Sequence, residues 1–315
     1  MIKKKLRILS ILSLMALYLG ACGTVSNKNI SPRAEEVLSS DNLPIGLADV
    51  KIFWTVPEKE AVYITSIDQT DIDIVHVVGN DITLSADYKY LAYVSSQPAT
   101  LSSIRLVNIQ TKDDWTLVSV AQDIPNALRL QTPAFSPDNE NIIFQVDITD
   151  TKFDIGSVDF SGENLHFYNT EGLNTEPKFS PNKEAIITIC EGKDAVGFNI
   201  CIIDASTGKR TRLTDREGFH QAYFSPIGEK IIFSYYKLPI FGRSKSGLYT
   251  MNVDGSNQTM LLNWRIAIMG LSPDGKSIIF RRMTDENPYY GDIYIMDVST
   301  QRLLHLEYFD YGFIE

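Results

Sequence analysis

Apolar residues in this chain come in short runs, each closed within a few positions by Ser, Pro, Asp, Asn or Gly. The clearest unit is Phe135-Ser136-Pro137-Asp138-Asn139-Glu140-Asn141-Ile142-Ile143-Phe144. It returns as Phe179-Ser180-Pro181-Asn182-Lys183, as Phe224-Ser225-Pro226-Ile227-Gly228-Glu229-Lys230-Ile231-Ile232-Phe233 and as Leu271-Ser272-Pro273-Asp274-Gly275-Lys276-Ser277-Ile278-Ile279-Phe280. A looser copy is Leu84-Ser85-Ala86-Asp87-Tyr88-Lys89-Tyr90-Leu91-Ala92-Tyr93. Short apolar runs bounded by turn residues predict strands joined by tight turns. Pro presets φ at the first corner, Ser and Asp side chains hydrogen-bond the freed amides, and Gly or Asn follows where φ must be positive.

Ser85, Ser136, Ser180, Ser225 and Ser272 are separated by intervals of 51, 44, 45 and 47 residues. A strand-turn-strand unit repeating every forty-odd residues is the pattern of a propeller blade. A second half-repeat follows each turn. Ile293-Tyr294-Ile295-Met296-Asp297 has counterparts in Leu248-Tyr249-Thr250-Met251-Asn252, Ile200-Cys201-Ile202-Ile203-Asp204, Ile155-Gly156-Ser157-Val158-Asp159 and Ile104-Arg105-Leu106-Val107-Asn108. A sixth copy is Val62-Tyr63-Ile64-Thr65-Ser66. Six second halves against five clear first halves leave the first blade short of its innermost strand. The expectation is an all-β, six-bladed β-propeller of four-stranded antiparallel blades. Tyr311-Gly312-Phe313-Ile314 would return to the first blade and close the ring, removing an open sheet edge. Its rival for the same place is Ile45–Ala48.

The Phe-Ser-Pro-Asp-Gly-Lys, Ile-x-Phe, Ile-Tyr-x-Met-Asp and Asp-Gly-Ser-Asn elements together resemble the TolB-like (WD-type) propeller repeat. The copies at 224–257 and 271–297 match it best. The resemblance implies the fold; propellers of this kind serve binding, gating and catalysis alike.

Lys3, Lys4, Lys5 and Arg7 precede a short apolar run, Ile8 to Leu19, which has the form of a signal peptide and is short for a membrane span. The run ends in Leu19-Gly20-Ala21-Cys22, which resembles a bacterial lipobox. That resemblance implies cleavage before Cys22, a diacylglycerol on its thiol and acylation, such as palmitate, of the new amino terminus; two chains give stable attachment. The domain reading is 1–21 signal peptide, 22–44 flexible lipid-anchored tether and 45–315 propeller. The place is the bacterial cell envelope, outside the cytoplasm. A net charge of −10 argues against a nucleic-acid partner, because phosphate binding needs clustered Lys and Arg. With Cys22 acylated, Cys190 and Cys201 remain, either bonded across a hairpin or as two buried thiols.

Candidate chemistry gathers where innermost strands begin. His220 lies five residues before Ser225, and its counterparts are Asn80, Gln131, Thr175 and Ala267. The next ring is Asp81, Thr132, Glu176, Gln221 and Ile268. Asn80, Asp81, Gln131, Glu176, His220 and Gln221 are therefore the candidate ligand-binding residues of a polar, mildly acidic funnel. One histidine with scattered carboxylates falls short of the three strong ligands of a catalytic zinc-type site. Oligogalacturonate lyases, whose propellers are similar to this repeat, hold a metal with several channel histidines. Glu176, Asn80 and Asp81 resemble the oxygen ligand set of calcium-dependent six-bladed lactonases, which suits a hard cation. No catalytic residue, metal or cofactor is assigned. Tyr235-Tyr236 with Phe241, and Pro288-Tyr289-Tyr290, fall in predicted loops and either bind ligand or pack on neighbouring loops. The functional expectation is a monomeric, non-enzymatic scaffold for a protein, peptide or glycan; a metal-dependent propeller enzyme of lactonase or uronide-lyase type is the alternative. Replacing Cys22 by Ser in the full chain is expected to abolish incorporation of labelled palmitate and move the protein from membrane to soluble fraction. Unchanged membrane association would refute the anchor.

Overall fold

A computed structural model of the chain describes residues 36–37, 51–56, 59–66, 72–95, 102–168, 170–191, 197–215, 218–236, 246–272, 276–283 and 292–306. The regular structure in these residues is β-strand, arranged in six sheets numbered I to VI in chain order. Sheet I holds Lys51–Val56, Ala61–Ser66 and Ile72–His76. Sheet II holds Asn80–Leu84, Tyr90–Ser95, Ser103–Asn108 and Asp114–Ser119. Sheet III holds Arg129–Phe135, Asn141–Thr149, Lys152–Asp159 and His166–Phe167. Sheet IV holds Asn174–Phe179, Ala185–Glu191, Phe198–Asp204 and Arg210–Arg212. Sheet V holds Phe219–Phe224, Lys230–Tyr235, Gly247–Asn252 and Thr259–Leu262. Sheet VI holds Ile266–Leu271, Ser277–Arg282, Ile293–Asp297 and Leu303–Leu306. Consecutive strands pair antiparallel, and the innermost strands of II, III, IV and V approach one another in sequence around an axis.

The molecule is thus an all-β propeller of four-stranded antiparallel blades. The described residues contain five complete blades, II to VI, rather than the expected six. In sheet I, Lys51–Val56 pairs with Ala61–Ser66, which pairs with Ile72–His76, so second, third and outer strands are present without an innermost one. Both segments expected to supply it, 311–314 and 45–48, lie outside the described residues, as do Cys22 and the apolar run before it. Within the stretch read as a tether, Glu36–Val37 runs parallel to the outer strand of blade VI, with Glu36 opposite Leu304 and Val37 opposite His305. That places a strand on an otherwise open edge.

Second and third strands account for the apolar runs. Leu91–Ser95, Ile142–Asp147, Phe153–Val158 and Ile231–Tyr235 are buried residue after residue, without alternation. A blade covered on both faces by neighbours has no solvent side, which removes the polar half of the usual strand pattern. The core therefore lies in the seams. Val62 and Ile64 meet Leu91 and Tyr93 between I and II; Leu106 and Ala92 meet Phe144 and Val158 between II and III. Ile143 and Ile155 meet Ile186 and Ile203 between III and IV, Ile200 meets Phe233 between IV and V, and Leu248 meets Phe280 between V and VI. The phenylalanine of each Ile-Ile-Phe, at 144, 233 and 280, is among the largest fully buried side chains.

The serine of each repeat staples its turn. Ser85, Ser136, Ser180, Ser225 and Ser272 each accept on Oγ the N–H of the residue five positions on, at 2.9–3.0 Å. The hydroxyls of Ser85 and Ser180 also donate to Asp87 and Asn182, each at 2.7 Å. The fourth residue of the turn takes positive φ: 56° at Tyr88, 56° at Asn139, 60° at Lys183 and 75° at Gly228. Tyr and Lys accept this conformation because the serine ties both ends of the turn around it. In blade IV, Cys190 and Cys201 are joined by a disulfide across the second and third strands, with Cα atoms 5.9 Å apart. Phe144→Ala is expected to cost about 3–5 kcal/mol of stability as a cavity in the II–III seam. Ser136→Ala should cost about 1–3 kcal/mol, by leaving the Asn141 N–H without its acceptor. Denaturant midpoints measure both, and a smaller loss at Phe144 than at Ser136 would contradict a core held in the seams.

Candidate functional site

Every innermost strand of the complete blades carries a bulge at the same level, between Asn80 and Thr83, opposite Ile143–Gln145, between Thr175 and Lys178, between Phe219 and Gln221, and between Ile268 and Gly270. Asp81, Thr132 and Glu176 sit in these bulges with φ of 49°, 48° and 52°. Non-glycine residues in that region cost about 1–3 kcal/mol each and persist where the surroundings over-determine them. In blades III and IV the next residue is Pro133 or Pro177, which fits a position where no ladder N–H is needed. The bulge bends the strand end and re-aims its side chains.

Side chains in and beside these bulges then link the blades. Asp81 Oδ2 accepts the N–H of Thr132 from the next blade at 3.0 Å, and Gln221 Oε1 accepts the N–H of Ile268 from the next blade at 2.6 Å. Thr132 Oγ1 is buried without a hydrogen-bond partner among the described residues. Beside this ring, Lys178 Nζ lies 3.7 Å from Glu176 Oε2 and 3.3 Å from the Glu176 carbonyl oxygen, and 4.6 Å above the Tyr223 ring. The side chains of Glu176 and Lys178 keep 31% and 22% exposure, so solvent reaches them inside the ring. Burial raises the Glu176 carboxyl above its ordinary value; Lys178 opposes that rise and Asp81 adds to it. Burial lowers the Lys178 ammonium against the pull of Glu176, and burial with the Glu176 charge raises the Tyr223 phenol.

The six residues expected in the funnel divide. Asp81 and Glu176 lie in the bulges and Gln221 beside one, and Asn80 is exposed at the start of its strand. Gln131 turns inward: its Nε2 donates to Asp147 Oδ2 at 2.7 Å, beside Arg129 Nε at 2.5 Å and, on the other oxygen, Gln145 Nε2 at 2.6 Å. It satisfies a buried carboxylate, since a charge taken from water needs donors on every side. His220 occupies the strand Phe219–Phe224, and its side chain lies outside the described residues. Lys178 and Tyr223 were not anticipated. Each stands two residues before its repeat serine, and that spacing was the signal available. Of the aromatic pair, Tyr235 is buried against Tyr249 with ring centroids 6.1 Å apart, and Tyr236 lies under the Arg265 guanidinium at 4.3 Å. Both pack; Phe241 and Pro288-Tyr289-Tyr290 lie outside the described residues.

A carboxyl raised by folding holds more protons in the folded than in the unfolded chain, so stability falls as pH rises through the interval above the ordinary value of 4.5. Glu176→Gln removes that fall. The difference in denaturation midpoint, variant minus wild type, is expected to shift in the variant's favour between pH 4 and pH 8. A shift in the opposite direction would place Glu176 outside an enclosed site.

Neither a protein-family model nor a curated protein matches this sequence. Solved structures share its fold. TolB from Acinetobacter baumannii superposes with a TM-score of 0.61 at 19% identity, over 82% of this chain and 63% of that one, so the chain spans under two thirds of that protein's length. The putative TolB from Agrobacterium tumefaciens gives 0.53 at 21% identity, over 69% and 80%. Oligogalacturonate lyase from Vibrio parahaemolyticus gives 0.55 at 14% identity, over 79% and 75%. The likeness is one of architecture: this chain is built as the TolB propellers and a lyase propeller are built.

Proposed function

We propose that this protein is a lipid-anchored, extracytoplasmic propeller that binds a protein, peptide or glycan partner at the bulged end of its central ring, as a scaffold rather than a catalyst. The ring is closed by six blades in this reading, residues 311–314 completing the first. The observation that carries the proposal is the Asp81, Glu176, Lys178 and Tyr223 group, polar and solvent-reached yet held on rigid strands. Sites built on a rigid frame with a few placed polar groups are where propellers and other scaffolds recognise ligands. The shared fold with TolB propellers supports an envelope binding role, and the Lys-rich start, apolar run and Leu19-Gly20-Ala21-Cys22 support the anchor.

The second reading is a propeller enzyme. Its support is the shared fold with an oligogalacturonate lyase, together with carboxylates at Asp81 and Glu176 and an imidazole-bearing residue, His220, on innermost strands. Calcium or a transition metal would be held by these and Asn80. A photo-crosslinking residue placed at Asn80 in the membrane-anchored protein is expected to give a discrete adduct, whereas one at Ile227, exposed at the other end of an innermost strand, should not. Turnover of sugar lactones or uronides by the purified protein, together with a stoichiometric bound ion and loss of rate in Glu176→Ala, would replace the scaffold reading with the enzyme.

A further inference from the structure

The seams between blades are built from equivalent positions, so a seam that departs from its neighbour stands out. Between II and III, the turn end of the seam is filled by Tyr90, Leu106, Trp115 and Phe160. Tyr90 and Phe160 meet edge to face at 5.1 Å, Tyr90 and Trp115 at 6.4 Å, and Trp115 Nε1 donates to the Phe160 carbonyl at 3.1 Å. Strand register identifies the same positions one seam later. Tyr90 pairs with Asn108 as Asn141 pairs with Asp159, which makes Asn141 the counterpart of Tyr90 and Ser157 that of Leu106. Trp115 lies opposite Leu106 as His166 lies opposite Ser157. Phe160 follows Asp159 as Ala205 follows Asp204. Four large side chains are thus replaced by Asn, Ser, His and Ala.

The volume they leave is a cleft of about 640 Å³ between blades III and IV, open to solvent and lined by Asn141, Ser157, Tyr168, Phe179, Glu184 and Ala205 among others. That is within the range of about 300–1,000 Å³ typical of small-molecule sites. Its groups are of two kinds. Tyr168 and Phe179 offer half-buried ring surface. The Tyr168 hydroxyl lies 3.2 Å from Ser157 Oγ, the Asn141 amide has no hydrogen-bond partner among the described residues, and the Glu184 carboxylate meets only Asn182 there. An aromatic guest would restore the lost packing but would bury the Asn141 amide without a partner, at about 1–3 kcal/mol, and would leave the free oxygen of the Glu184 carboxylate unused. A guest with an apolar face and a rim of hydroxyls satisfies both kinds. The carboxylates of Glu184 and Asp204, in a chain of net charge −10, disfavour an acidic guest, and Lys183 is already paired with Asp138.

We infer that the III–IV cleft is a saccharide site: it takes a neutral or N-acetylated pyranose, whose ring lies against Tyr168 and Phe179 and whose hydroxyls reach Asn141, Glu184 and Ser157. The site is separate from the central ring and lies towards the serine-turn end of the blades, so it stands whether or not the ring binds a partner. A sugar held there would bridge two neighbouring blades.

The test uses the full chain in a sugar-free detergent, with N,N′-diacetylchitobiose, maltose, digalacturonate and N-acetyltryptophanamide as probes, read by saturation-transfer NMR and calorimetry. Binding of chitobiose or maltose, with contact to Tyr168 and no binding of digalacturonate, is expected. Ala205→Phe and Asn141→Tyr rebuild the filling of the II–III seam; each should weaken binding at least tenfold without lowering the thermal midpoint. Glu184→Ala, at an exposed position, gives the same readout without repacking should the larger side chains unfold the protein. Ile74→Ser, at an exposed position on the outer strand of sheet I, should leave sugar binding unchanged. Absence of binding by both neutral sugars, binding of N-acetyltryptophanamide in their place, or equal binding by wild type and Glu184→Ala overturns the assignment.

Discussion

The middle strands of each blade are apolar on both faces, and this is the constraint from which the architecture follows. A sheet containing Ile142-Ile143-Phe144 beside Ile155 and Val158 has no face it can show to water. It must be covered twice, and the cheapest cover is another sheet of the same kind. Stacking around an axis covers each of blades II to V with two neighbours, so the protein needs no single central core. The seams take that role, and Phe144, Phe233 and Phe280 repeat as their largest buried members. Burial of this kind contributes about 25 cal/mol per Å² of apolar surface, which is why a lost phenyl group outweighs a lost turn hydrogen bond.

Once the seams hold the blades, the innermost strands are relieved of packing on one side and become free to vary. In and beside their bulges, polar side chains bear on the next blade's backbone, as Asp81 does on Thr132 and Gln221 on Ile268. These two contacts rest on side chains rather than a ladder, so each bulge can carry a different residue. Blades IV and V use this freedom to set a carboxylate, an ammonium and a phenol side by side. Their titration is displaced because burial disfavours the charged forms; Glu176 and Lys178 partly restore each other's charge, and the Glu176 charge adds to the rise at Tyr223.

The same logic makes the III–IV seam informative. In a repeat array each position has built-in comparators, and a departure has to be explained by something other than stability. Filling the turn end of the II–III seam with Tyr90, Trp115 and Phe160 shows that the repeat can pack this place densely. Leaving it open one blade later, with Asn141 and Ala205, gives up dispersion contacts that the fold demonstrably can make.

Much of this was written in the sequence. The spacing of Ser85, Ser136, Ser180, Ser225 and Ser272 marks the blades because a turn is encoded within a few residues, by a hydroxyl, a proline and a site of positive φ. The unbroken apolar runs announce sheets covered on both faces, since burial is sensed residue by residue. Tertiary structure decided what depends on partners distant in the chain. It bonded Cys190 to Cys201, laid Glu36–Val37 beside Leu304 and His305, and left sheet I without an innermost strand among the described residues. It also drew Gln131 into the Asp147 network and brought Lys178 to Glu176 and Tyr223. A bulge inserts one residue and reverses which side chains face the axis, and only the pairing of whole strands, set by packing across the seams, determines where that residue falls.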